Sequence, residues 1–217
     1  MDNLGERLKS IRLKQGLSLR ELARQANVSP SFISQIENGK SQPSVATLYS
    51  FSQLLDISID DLFDHRASAP SGVVAAQVTT ASAVATGNGR MDPIHAWQPS
   101  EYSNRVSVVH PSHRPHLTMA EGVTWERLAA TPEHAVNFMK ISYGPGANTT
   151  DGGELVAHEG YEYGYVLSGE VEVEVGDEVF TLRAGESLGF DSSIPHVLRN
   201  VGTEVFEGIW FVHGHAH

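Results

Sequence analysis

Cysteine is absent from the 217 residues, and its absence excludes a disulfide framework, a zinc–thiolate finger and a thiolate nucleophile. No run of about 18 apolar residues occurs, the length a helix needs to cross a bilayer. The opening "MDNLGERLKS" has no apolar stretch after a basic start. Together these absences predict a soluble, unexported, cytoplasmic protein. Basic charge is also scarce: 15 Lys and Arg stand against 26 Asp and Glu, a formal net charge of -11. That balance argues against a polyanionic partner until it is divided along the chain. Residues 1–55 carry seven basic and four acidic side chains, a net of +3, whereas residues 67–217 carry seven and eighteen, a net of -11. The asymmetry predicts two parts with different partners, the first tolerant of a polyanion and the second repelled by one.

Apolar residues recur at helical spacing through the first 64 positions. Leu4, Leu8 and Ile11 form one stripe, Leu19, Leu22 and Ala26 another, and Val45, Leu48, Phe51, Leu54 and Leu55 a third. "SLRE" (Ser18 to Glu21) has the form of a capping box, preceded by Gly16 as a helix end. Ser29 and Pro30 fit the N-cap and first helical position of the next helix. "NGK" closes that helix with Gly39 at the left-handed cap position, and Ser44 caps the one after. The spacing predicts four or five short helices, with the pair Ser18–Ala26 and Ser29–Glu37 joined as a helix-turn-helix.

Residues 4–63, including "LKQGLSLRELARQANVSPSFISQIENGK", resemble the lambda-repressor-like (XRE) family of DNA-binding domains. The resemblance implies that the second helix of the pair enters the major groove. Ser29, Ser31, Phe32 and Gln35 would then face bases, Gln35 with geometry for adenine. Asn38, Lys40 and the start of the preceding helix at Arg20 would hold phosphates, which set register without reading sequence. Arg12 and Glu37 match the family's internal ion pair, a structural role.

From Ala67 to Gly89 the chain is uncharged and made of small residues, although "GVVAAQVTTASAVA" has the composition of a thin edge strand. The expected division is a helix-turn-helix domain over residues 1–66, a linker over 67–100 and a second domain over 101–217. In that second domain short apolar runs alternate with Gly, Pro and Asp: "RVSVV", "VTWERLAA", "VNFMKISYGPGA", "GYVLSGEVEVEVG", "EVFTLRAGESLGF", "HVLRN" and "VFEGIWFVH". This spacing predicts an antiparallel sandwich or barrel. "AHEGYEYGYVLSGEVEVEVG" and "AGESLGFDSSIPHVLRN" resemble the two motifs of the cupin family, a double-sheet jelly roll. The expected fold class is therefore multidomain α + β, an all-α helix-turn-helix bundle joined to an all-β double-stranded β-helix.

In the family's metalloproteins the first motif supplies two histidines and a glutamate and the second supplies one more histidine. By that resemblance the glutamate falls on Glu162 and two histidines fall on His158 and His196, while the first histidine position holds Val156. Glu162, Gly164 and Val166 share one face of their strand, and Tyr161, Tyr163 and Tyr165 the other. Gly164 is expected to leave open space beside the carboxylate. Two imidazoles and one carboxylate suit Fe, Mn, Zn or Ni. The same face could instead be a metal-free pocket of His158, Glu162, Gly164 and His196 that receives an organic effector, its carboxylate favouring an amine. "HPSHRPH" (His110 to His116) is expected to be a solvated loop, the terminal "HGHAH" a frayed tail, and Trp125, Phe138, Tyr143 and Trp210 jelly-roll core.

The two resemblances together imply a one-component transcriptional regulator rather than an enzyme. Its first domain would bind a double-stranded DNA operator and its cupin a small molecule, such as an amine or amino-acid metabolite. A homodimer through the cupin would match two half-sites. The alternative is a mononuclear non-haem metal enzyme of the hydroxypropylphosphonate epoxidase type, for which Lys140 and Tyr143 are positional candidates for proton transfer.

Overall fold

A computed structural model describes residues 4–57, 59–62, 107–129, 136–150 and 152–213. The expected linker at 67–100 and residues 214–217 of the C-terminal tail lie outside the described residues. The helical part comprises α1 (Leu4–Lys14), α2 (Leu19–Gln25), α3 (Pro30–Glu37) and α4 (Val45–Leu54), followed by a 3-10 turn at Ile59–Leu62. Each expected cap is in place, because a short polar side chain at the helix entry satisfies an otherwise orphaned amide. Ser18 Oγ accepts from Glu21 N at 3.1 Å, Ser29 Oγ from Phe32 N at 3.1 Å and Ser44 Oγ from Thr47 N at 3.3 Å. The Glu21 carboxylate turns instead to Arg24 and Gln25, so only half of the capping box forms.

Leu8, Leu22, Ile33, Ile36, Phe51 and Leu55 form the helical core. Gly5 sets how closely α1 crosses α3: a Cβ there would lie 2.2 Å from the carbonyl oxygen of Ile36. Behind this crossing Arg12 and Glu37 meet in a buried, bidentate ion pair at 2.5 and 2.9 Å. Arg12 also donates to the Leu17 carbonyl, so the pair ties α1, its exit and the end of α3 together.

Among the described residues nine strands follow in two antiparallel sheets: β1 (His116–Thr118), β2 (Val123–Ala129), β3 (Val136–Tyr143), β4 (Tyr161–Ser168), β5 (Glu170–Val175), β6 (Glu178–Arg183), β7 (Ser187–Asp191), β8 (His196–Arg199) and β9 (Phe206–His213). The larger sheet runs β1-β2-β3-β9-β4-β7 and the smaller β6-β5-β8. Strict alternation directs each strand. Val171 and Val173 of β5 are buried between partly exposed glutamates, and Gly164 and Val166 of β4 point inward while Tyr161, Tyr163 and Tyr165 face outward.

Three expectations are corrected. "RVSVV" forms no strand over its described residues 107–109. "HPSHRPH" is not loop throughout: Pro111–His113 make one 3-10 turn and His116 begins β1, pairing with Glu126. Pro115 is tolerated because it precedes the strand, and its carbonyl accepts from Arg127 N at 2.8 Å. Phe138 lies on the outer face of the large sheet, half-buried and stacked on Phe211 at 4.5 Å, rather than in the core.

The barrel core does not stop at the helices. Leu4, Val45, Leu48, Ile59 and Leu62 belong to the same buried cluster as Trp125, Ile141, Tyr143 and Trp210. Backbone hydrogen bonds cross the same boundary, from Ala46 N to Thr149 O at 3.2 Å and from Ala120 N to Pro43 O at 3.0 Å.

Candidate functional site

On the head, the start of α3 presents Ser29, Ser31 and Gln35 to solvent, whereas Phe32 is half-buried against the helical core. The Ser29 hydroxyl already caps the helix and lies 3.0 Å from Ser31 Oγ. Gln35 and Ser31 are thus the α3 side chains best placed to reach outward. Asn38 folds its amide back onto Ser34, and Lys40 and Arg20 are exposed.

In the barrel, His158 precedes β4, Glu162 sits on its inward face and His196 opens β8. Fold topology brings the three together: ligand-capable atoms of all three lie within 4.8 Å of one another. His158 Nε2 is 2.8 Å and His196 Nε2 3.2 Å from the same oxygen, Glu162 Oε1. The other carboxylate oxygen accepts from Trp210 Nε1 at 2.7 Å. All three groups are at most 9% exposed. Burial alone would raise the Glu162 pKa, but the hydrogen bonds and charges of His158 and His196 outweigh it and bring the carboxyl to about 2. His196 is pushed down by burial and further up by Glu162, and ends above its ordinary value.

The outer nitrogens of the imidazoles limit what the cluster can be. His196 Nδ1 faces the Ile194 carbonyl at 2.9 Å and His158 Nδ1 the Glu159 carbonyl at 3.3 Å, so each Nδ1 must be the donor. A neutral ring would then turn its Nε2 lone pair toward a carboxylate oxygen, which is repulsive. A cation among the two Nε2 atoms and Oε1 would remove that repulsion. Carbonyl-anchored Nδ1 atoms and a carboxylate steadied by an indole are the outer partners that orient metal ligands, and the donor set fits a divalent ion.

Val156, at the position where the family has its first histidine, is held in register with His196 by two backbone hydrogen bonds of 2.8 and 2.9 Å and lines the pocket. The expected open space over Gly164 is not there. Trp210 fills it from β9, and a Cβ on Gly164 would meet Trp210 Cζ3 at 2.1 Å. Lys140 is directed to the outer face, pairing with Glu207, while Tyr143 is buried beside Thr149 in the pocket wall.

The pocket above the cluster is nearly filled, with a free cavity of about 20 Å³. Its wall includes Trp125, Tyr143 and Trp210 of the barrel and two residues that the sequence did not single out for it, Val45 and Tyr49 of α4. The Tyr49 ring lies flat on His158, with centroids 4.5 Å apart and planes 11° from parallel, and meets Trp125 edge-on at 5.9 Å.

Two family descriptions match these two parts, Helix-turn-helix over residues 8–62 and Cupin domain over residues 140–212. Fold and domain pair define the class: an HTH-type DNA-binding transcriptional regulator with a C-terminal cupin. Among similar proteins is the HTH-type transcriptional regulator PuuR of Escherichia coli K12, 25% identical over 202 residues that cover 93% of this chain and 89% of that one. SutR of the same strain, also an HTH-type transcriptional regulator, is 25% identical over 203 residues with the same coverage. The head alone is 41% identical over 64 residues to the regulator SinR of Bacillus subtilis strain 168, which covers 29% of this chain and 58% of that one. An HTH_3 family transcriptional regulator from Vibrio cholerae shares the fold, with a TM-score of 0.59 at 21% identity over 98% of this chain and 95% of that one. Relatives aligned along nearly the whole chain are named regulators, and the enzyme alternative yields to the regulator.

Proposed function

We propose that this regulator is a one-component sensor: a head within residues 1–66 reads an operator, and the cupin, within 101–217, adjusts that binding when a small molecule enters its pocket. The observation that carries this reading is the pairing, in one chain, of an outward Ser31 and Gln35 on α3 with a buried polar cluster beneath a pocket. A buried cluster of this kind is costly unless it is used. Chromosomal DNA as partner would set its work in the cytoplasm.

His158, Glu162 and His196 would hold one divalent ion, Fe, Mn, Zn or Ni, through two Nε2 atoms and Oε1. Such an ion would act as a Lewis acid that anchors a donor atom of the effector. A divalent ion held there would leave the site net positive against the single Glu162 carboxylate. Glu162 already accepts from Trp210 Nε1 through one oxygen and faces both imidazoles with the other. The charge therefore supports an effector with a carboxylate end, such as an amino-acid metabolite, over a plain amine.

A homodimer would let two heads cover a two-fold operator. Its support is the outer face of the large sheet, where Tyr161, Tyr163, Tyr165, Leu167 and Phe211 are each at least 39% exposed, an apolar patch of the kind that marks interfaces. Sedimentation of the Tyr163→Glu variant tests it; an unchanged mass would place the interface elsewhere.

The deciding experiment selects an operator from random DNA, then measures its affinity with metal present, with metal stripped, and with carboxylates or amines added. Gln35→Ala should lose about 1–3 kcal/mol of discrimination at one base position, and Lys40→Ala should weaken all sequences alike while lowering the salt slope by about one. Operator affinity that ignores metal and both classes of small molecule would sink the sensor.

A further inference from the structure

We infer that the DNA-binding head forms part of the effector site: Tyr49 of α4 occupies a ring-sized place in the cupin pocket, so that a molecule filling the pocket displaces the ring and undocks the head. This rests on the sensor reading above and says how that sensor would transmit.

Three observations converge on it. First, the Tyr49 ring stacks on His158, a member of the polar cluster, and its edge contact with Trp125 completes a slot of aromatic walls. Second, Trp125 is 4% exposed and lines that slot beside Tyr143, whose hydroxyl is the polar neighbour of its indole N–H. Third, the backbone around Tyr49 is what joins head to barrel: Ala46 N–H donates to Thr149 O, and Pro43 O accepts from Ala120 N–H. Moving the ring out of the slot works against the contacts that hold α4 in place, and α4 is separated from the recognition helix only by residues 38–44.

The slot also narrows the ligand class. What replaces Tyr49 must be a flat or apolar body of about a phenol's size, because the place it takes is that of one aromatic ring lying on His158 and meeting Trp125 edge-on. By linkage, whatever the ligand gains by displacing Tyr49 the head loses in docking, so ligand and docked head exclude each other.

The test uses the full chain, freed of metal and without DNA, so that a failed operator or metal experiment leaves its outcome intact. Hydrogen exchange is followed in the segments carrying Ala46 and Ala120, and p-cresol, the free tyrosine side chain, serves as pocket probe. In Tyr49→Ala both segments should exchange at least about tenfold faster than wild type, while Tyr49→Phe, which keeps the ring, should match wild type and show that loss of folding is not the cause. p-Cresol should bind Tyr49→Ala at least about tenfold more tightly than wild type, as apolar cavities take up ligands of matching shape. Exchange in Tyr49→Ala at the wild-type rate would overturn the inference. So would p-cresol binding to both proteins equally, or to neither.

Discussion

Trp210 Nε1 donates to Glu162 Oε2 at 2.7 Å, reaching from the inward face of β9 to that of β4. The two strands are hydrogen-bonded neighbours, with Gly164 opposite Trp210 in register. The indole therefore lies over a residue without a side chain and extends to the carboxylate two positions earlier. One tryptophan both fills the barrel and steadies the charged member of the cluster.

Replacing that indole by phenyl should separate the two roles. Trp210→Phe keeps most of the apolar volume but leaves a buried carboxylate oxygen unpaired, at a cost of about 1–3 kcal/mol. Affinity for zinc should drop about 10- to 100-fold, the usual result of losing an outer partner of a ligand. Competition against a chelator measures it; unchanged affinity would show that His158 and His196 suffice to orient Glu162.

Gly164→Ala should be among the most damaging small substitutions in the barrel. Its Cβ would collide with the Trp210 ring at 2.1 Å, and overpacking of a filled core costs about 1–3 kcal/mol. Urea unfolding reads the loss directly. The double variant Gly164→Ala/Trp210→Leu should recover part of it, whereas additive losses would refute the steric cause.

The cluster should also shape the acid and alkaline limits of metal-free protein. Glu162 has a folded pKa of about 2, below its ordinary 4.5, so its stabilisation is fully present above 4.5 and is lost as pH falls toward 2. His196 lies above its ordinary 6.5, so its share is fully present below 6.5 and is lost as pH rises through the raised value. Stability from these groups should peak between 4.5 and 6.5. Urea midpoints across pH should show this maximum in wild type and a flatter profile in Glu162→Gln; identical profiles would remove the cluster as its source.

In the head, the Arg12–Glu37 pair should be easier to replace than to break. Glu37→Gln leaves a guanidinium buried without its counter-charge, and such losses run to about 3–5 kcal/mol. Arg12→Met combined with Glu37→Leu should restore most of the stability. Thermal unfolding that ranks the double replacement below Glu37→Gln would contradict this.

Local signals in the sequence were enough for the helices, because Ser18, Ser29, Ser44, Gly16 and Gly39 act within a few residues of where they stand. Alternation located the inward face of β4 in the same way, and with it Glu162. The convergence of His158 and His196 on that face rested on family resemblance, since residues 38 positions apart have no periodic relation. Trp210 and Tyr49 were invisible as site residues for the same reason. Trp210 reads as ordinary core in the alternating run "VFEGIWFVH", and only the strand register puts it over Gly164. Tyr49 lies on a helix whose apolar stripe is fully explained by the head, and nothing local says that a barrel 109 positions later will take the ring. Glycine within a strand signals close approach or open space, and here tertiary packing chose close approach.

Val156 carries one more consequence. Two backbone hydrogen bonds pin it to His196, and its side chain already borders the pocket. The backbone at this position is fixed independently of the side chain it carries. Val156→His would therefore start a third imidazole from a backbone already tied to His196, at the edge of the same pocket.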